Sequence, residues 1–210
     1  MSAVIAYEDL LNSDFELALR EGDMFFQGEG KVQTTLGRIA QRLQELGVDY
    51  AIAGGLCLAR HGFRRFTEDV DILVTPEGLQ QIHTALEGLG YVRPFTASKN
   101  LRDAETGVRI DFIVSGQYPG DGKPGPIAFP NPSTVAKEID GIRYVDMVPF
   151  VELKLASGQA SHRAQDLHDV QQLIRIVPLS RELAEKLHPS LRDAYLQKWD
   201  DAQMAAKDEF

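Results

Sequence analysis

Residues 64–75 read RRFTEDVDILVT, and the alternation of charge and apolarity in that run decides the fold. Val70, Ile72, Leu73 and Val74 are strand formers. Side chains at i and i+2 of a strand share a face, with Cα atoms roughly 6–7 Å apart. Asp69 and Asp71 therefore project side by side from the beginning of a buried strand, while Glu68 faces the other way as a surface residue. Two like charges this close repel unless a cation stands between them or one carboxyl keeps its proton. The competing reading is an exposed edge strand with solvated acids.

Working outward, DYAIAGG (49–55) reads as a short apolar strand closed by Gly54 and Gly55, and LCLARHG (56–62) as a two-turn helix stopped by Gly62. A strand-to-helix junction of glycines lets backbone N–H groups approach an anion at the helix N-terminus. By itself the pair is also an ordinary turn. A third carboxylate, Asp111, lies in VRIDFIV (108–114), where Ile110 and Phe112 take the opposite face. It joins Asp69 and Asp71 if the two strands are neighbours. Three carboxylates beside a phosphate-binding turn suit one or two divalent cations, which bind a triphosphate and activate an attacking hydroxyl.

The remaining chain supplies the frame. FELALREGDMFF reads as a short helix ending near Gly22, and KVQTTLGRIAQRLQELG as an amphipathic helix with Leu36, Ile39, Leu43 and Leu46 on one face and Gly47 as its stop. TPEGLQQIHTALEGLG follows with Thr75 as N-cap and Pro76 in the first turn. FTASKNLRDAETGVRIDFIVSG and STVAKEIDGIRYVDMV read as hairpins, and the pattern is helical from Pro149 onward. The order predicts an α+β fold: a mixed β-sheet core with flanking helices and a C-terminal helical segment. The expected divisions are an acidic N-terminal helical segment (1–30), a core (31–146) and the C-terminal helices (147–210).

Composition bounds the function classes. The chain has 210 residues, 43% of them hydrophobic and 25% charged, as in an ordinary globular protein. One cysteine, Cys57, excludes an internal disulfide, and its flanking leucines make it a buried core thiol. No run approaches the roughly 18 apolar residues of a membrane span, so no membrane and a cytoplasmic location are expected. The net charge of −9 is concentrated in residues 1–30, with seven acids against one base. The middle, 31–180, is nearly neutral, which leaves phosphate-bearing ligands open. No basic stripe interleaved with aromatics marks a nucleic-acid face.

The combination GGLCLARHGFRRFTEDVDILV with the later RIDFIV resembles the nucleotidyltransferase superfamily with the DNA polymerase β-like catalytic core. Within it, Arg65-x-Thr67-x-Asp69-x-Asp71 and ELKLASG…QDLHDVQQLI resemble the bacterial branch of abortive-infection toxin-type nucleotidyltransferases. The resemblance implies a Mg²⁺- or Mn²⁺-dependent enzyme that moves a nucleoside monophosphate from an NTP to an acceptor hydroxyl, with release of pyrophosphate. It implies Asp69, Asp71 and Asp111 as metal ligands, with Asp111 also the base. Gly54, Gly55, Arg65, Thr67 and Lys154 would form the nucleotide site, the glycine backbone cradling phosphates and Lys154 or Arg65 neutralising them. The acceptor would be tRNA, a protein side chain or a small molecule, and an antitoxin protein is a further partner such a relative would have. Gly55 stands where many members carry serine, which keeps the backbone contact and removes a hydroxyl. The alternative is a catalytically weak or inactive nucleotide-binding or regulatory protein on the same fold.

Other readings of individual residues stay open. Arg64 and Arg65 suit charge pairing with Glu68 or Asp69 as well as phosphate contact, and Lys154 in VELKLA could snorkel instead. Asp166 and Asp169, with His162 and His168 nearby, read as a helix-surface network that orients the core rather than a metal site. Residues 115–132 contain five of the ten prolines and read as a semi-rigid loop. Either it walls the acceptor side of the cleft, offering Tyr118 or Lys123, or it covers the sheet edge.

Overall fold

The computed structural model describes residues 4–207, so the ends of the expected 1–30 and 147–210 segments lie outside the described residues. The first helices are α1 (Tyr7–Ser13), α2 (Phe15–Gln27) and α3 (Lys31–Glu45). α2 passes through Gly22, contrary to the expected stop there, because the next turn buries Phe25 and Gly28 supplies a left-handed cap at φ 83°. Then come β1 (Tyr50–Ile52), α4 (Gly54–Arg60), β2 (Asp69–Val74) and α5 (Pro76–Leu86). Thr75 caps α5 as its sequence signal predicts, its hydroxyl accepting from the Gly78 N–H at 3.0 Å.

The next strands are β3 (Tyr91–Val92), β4 (Leu101–Asp103) and β5 (Arg109–Val114), followed by α6 (Pro132–Val135), β6 (Ala136–Ile139) and β7 (Ile142–Val145). Both expected hairpins form. β4 pairs antiparallel with β5, and β6 with β7 around Asp140 and Gly141, both at positive φ, as a two-residue turn requires. The chain ends in α7 (Met147–Ser157), α8 (Ala164–Ile176), α9 (Leu183–Lys186) and α10 (Arg192–Lys207).

Among the described residues, seven strands make one mixed sheet in the order β3-β4-β5-β2-β1-β7-β6, so the α+β expectation holds. β2 and β5 lie parallel at its centre, aligned over six residues from Asp69 opposite Arg109 to Val74 opposite Val114. Val70, Ile72, Ile110 and Phe112 are buried together on one face. α5 covers that face, where the His83 and Phe112 rings stand 6.2 Å apart. The acids of both strands are thereby left on the opposite face. α1 is tied to the sheet rather than apart from it. Tyr7 is buried, its N–H donates to the Gly107 carbonyl at 3.0 Å, and Glu8 accepts two hydrogen bonds from the buried Arg102 at 2.7 and 2.8 Å. Cys57 is buried and donates to the Val145 carbonyl. Among the described residues, no helix is long and apolar enough to cross a membrane.

Candidate active site

Parallel pairing of β2 with β5 sets Asp71 directly beside Asp111, with Asp69 one pleat away on the same face. Each of the three carboxylates offers an oxygen within 4.8 Å of the others, and all three are half-buried. This cluster could bind a metal ion. Burial, and then the neighbouring Asp69 and Asp111 charges, push the Asp71 carboxyl up to about 7. Burial also raises Asp111, against the lowering effect of the Arg109 guanidinium. The Asp111 Oδ1 atom is buried with no hydrogen-bond partner. Carboxylates crowded to this degree, with one buried oxygen held only by an unaligned ion pair to Arg109 at 2.9 Å, fit a hard divalent cation.

The glycine pair is shaped by the acids. A Cβ on Gly54 would stand 1.7 Å from Asp71 Oδ2, and its φ is +57°, so the Asp71 carboxylate packs where any other residue would carry its side chain. A Cβ on Gly55 would stand 2.8 Å from the Thr67 Cβ. Thr67 is buried and donates its hydroxyl to Asp69 Oδ1 at 2.7 Å. The space of a serine side chain at 55 is thus taken by the threonine that aims Asp69.

Asp71 and Asp111 open into a cleft of about 540 Å³. Gly54, Asp71 and Asp111 form its floor, α7 contributes Phe150 and Lys154, and the 115–132 loop contributes Tyr118 and Gly120. The loop is closed at its neck by Gly116 N–H to the Phe129 carbonyl and Phe129 N–H to the Gln117 carbonyl, at 2.8 and 2.7 Å. Tyr118 faces the cleft. Lys123 does not: it is exposed, its ammonium donates to Asp121 at 2.7 Å, and it borders a smaller depression behind the loop.

The two cations assigned to phosphate by resemblance are both paired with acids of α8. Lys154 is buried and donates to Asp166 at 2.6 Å and Asp169 at 2.8 Å. Arg65 donates through Nε and Nη2 to the same Asp169 carboxylate at 2.9 and 3.1 Å. Burial alone would lower the Lys154 ammonium, but the two aspartates outweigh it and hold it above its ordinary range. Asp169, fully buried, is held low because these donors outweigh its desolvation. The Asp166–Asp169 network therefore exists, but it is buried rather than superficial; His162 and His168 on its flank are exposed. Of the pair, Lys154 borders the cleft and Arg65 does not.

Three further bases stand at the site: two on the cleft wall and one against the triad. Lys99 and Arg163 line the cleft, and Arg109 lies against the triad, donating to Asp69 Oδ2 at 3.1 Å. Arg109 carried a readable signal, since it stands at i−2 from Asp111 on the same strand face. Lys99 and Arg163 carried none, because they lie in the 93–100 and 158–163 connections, where no strand or α-helix period fixes their direction.

No family model matches the chain, and no curated protein matches it. Among solved structures it is similar to the crystal structure of ANT(2")-Ia in complex with adenylyl-2"-tobramycin. That match has 13% identity, covers 79% of this chain and 97% of the other, and has a TM-score of 0.49. It is also similar to an antigenic nucleotidyltransferase-like protein from Paracoccidioides brasiliensis, at 17% identity over 83% of this chain and 91% of the other, with a TM-score of 0.49. Likenesses of this size assign no chemistry to the chain, and the site stands on its own residues.

Proposed function

We propose that the chain is a metal-dependent nucleotidyltransferase that moves a nucleoside monophosphate from an NTP to an acceptor hydroxyl. The observation that carries this reading is the half-buried Asp69–Asp71–Asp111 triad on adjacent strands, whose Asp71 and Asp111 line a cleft together with Lys99, Lys154 and Arg163. Asp69, Asp71 and Asp111 would hold Mg²⁺ or Mn²⁺, which when bound supplies charge neutralisation for the triphosphate. Thr67 orients Asp69, and the close fit of Asp71 on Gly54 fixes the second carboxylate at the head of α4. The Gly54–Gly55 backbone, Lys99 and Arg163 serve the phosphates. Asp111 accepts the proton of the acceptor hydroxyl as the new P–O bond forms and pyrophosphate leaves. The acceptor enters along the loop carrying Tyr118.

The capture of Arg65 and Lys154 by Asp166 and Asp169 favours a second reading, a nucleotide-binding protein with weak or no turnover. One assay separates the two. The protein is incubated with α-labelled NTPs, Mg²⁺ and fractions of tRNA, protein and small molecules, beside an Asp71→Asn variant. Label appearing in one fraction with wild type and not with Asp71→Asn supports transfer and identifies the acceptor class. NTP-dependent thermal stabilisation without label in any fraction supports the binding reading and sinks transfer.

A further inference from the structure

Arg109 is placed by register, not by chance contact. It is paired across the sheet with Asp69 and sits two residues before Asp111, so all three side chains occupy one patch of one face. Its Nη2 donates to Asp69 Oδ2 at 3.1 Å. Its Nε stands 2.9 Å from Asp111 Oδ1, close enough for charge pairing. That second contact is not aligned as a hydrogen bond: Arg109 Nε and Asp111 Oδ1 are both buried and both lack a partner. A guanidinium normally grips carboxylates through two aligned bonds. Here it bridges two acids while bonding one, and 41% of its side chain is exposed. Solvent-side exposure gives it a way out without any shift of the strands.

We propose that Arg109 is the resident counter-ion of the triad, a positioning residue that keeps Asp69 and Asp111 together without metal and is displaced from Asp111 when a divalent cation binds. This rests on the reading above that the triad is a metal site. Metal binding and the Arg109 contact are then mutually exclusive at Asp111 Oδ1, and each weakens the other by the same factor. A guanidinium that stays in place would instead leave metal affinity unchanged or support it.

The experiment uses the full chain and Mn²⁺ alone, with binding followed by electron paramagnetic resonance. Four proteins are compared: wild type, Arg109→Met, Arg109→Lys and Lys99→Met, the last removing a cleft charge whose field reaches Asp111 but which occupies neither of its oxygens. Arg109→Met is expected to bind Mn²⁺ at least about tenfold more tightly than wild type, in the range of ordinary coupling between competing ligands. Arg109→Lys and Lys99→Met are expected to stay within about threefold of wild type, below that range. Arg109→Met is also expected to melt lower than wild type without metal and to gain more from Mn²⁺. Equal or weaker binding by Arg109→Met, or an equal gain in Lys99→Met, overturns the displacement. Absence of Mn²⁺ binding in all four overturns the metal site itself, and the displacement with it. Should Arg109→Met fail to fold, the Arg109 Nε–H resonance of wild type decides. Faster exchange with water on addition of Mg²⁺ supports displacement, and unchanged exchange overturns it.

Discussion

Gly54 and Asp71 illustrate how one residue fixes another. With an added Cβ 1.7 Å from Asp71 Oδ2 and φ at +57°, Gly54→Ala must move either the head of α4 or the carboxylate. The expected outcome is a loss of stability of about 1–3 kcal/mol, in the range for overpacking, together with weakened Mn²⁺ binding. Chemical denaturation and a metal titration check the two effects. Unchanged metal affinity would show that Asp71 does not serve the metal site. Protonation gives a second handle. Burial and the adjacent acids raise the Asp71 carboxyl to about 7 from 3.8. A carboxyl raised on folding contributes stability that is fully present below its unfolded pKa and is lost as pH rises through the folded one. The metal-free chain is therefore expected to melt progressively lower between about pH 4 and pH 7 through this group. Asp71→Asn should flatten the slope, and saturating Mg²⁺ should flatten it too. A wild-type slope matched by Asp71→Asn would count against it.

At the scale of elements, the strands β2 and β5 were readable because the period-2 alternation is local, and the same parity places all three acids on the face away from Val70 and Ile110. Their side-by-side parallel pairing was not readable, since α5, β3 and β4 lie between them in the chain. The helix stop at Gly22 misled because a glycine inside α2 is outweighed by burial of Phe25 one turn later. The pairing of Lys154 and Arg65 with Asp169 on α8 was not readable, because 15 and 104 residues separate them from it. The loop from 115 to 132 gives the test proper to this scale. Its neck is pinned by the Gly116–Phe129 and Phe129–Gln117 hydrogen bonds, so its tip can be exchanged without opening the sheet. Replacing residues 118–126 by a short Gly-Ser connection is expected to leave the melting temperature and NTP binding in place and to reduce transfer at least about tenfold, as misplaced substrates typically do. Undiminished transfer would make the loop a cover for the sheet edge.

Across the molecule, the buried ion network joins segments that no single hairpin or helix pair connects. Asp169 on α8 accepts from Lys154 on α7, from Arg65 before β2 and from Gln165 at 3.1 Å. Asp169→Ala would leave the buried Lys154 with one carboxylate and deprive Arg65 of both its hydrogen bonds. Breaking such a pair from one side costs about 3–5 kcal/mol, readable as a shift in the denaturation midpoint. A shift below about 1 kcal/mol, the worth of an exposed pair, would place the network in solvent. The network also has a consequence for how the chain is made. Arg65 leaves the ribosome 104 residues before its acceptor, Asp169. At translation rates of about 5–20 residues per second, it waits roughly 5–20 s for that partner. Until α8 is synthesised, the strand that carries the aspartates is bordered by a guanidinium without its native acceptor, although all seven strands, ending at Val145, have already been made.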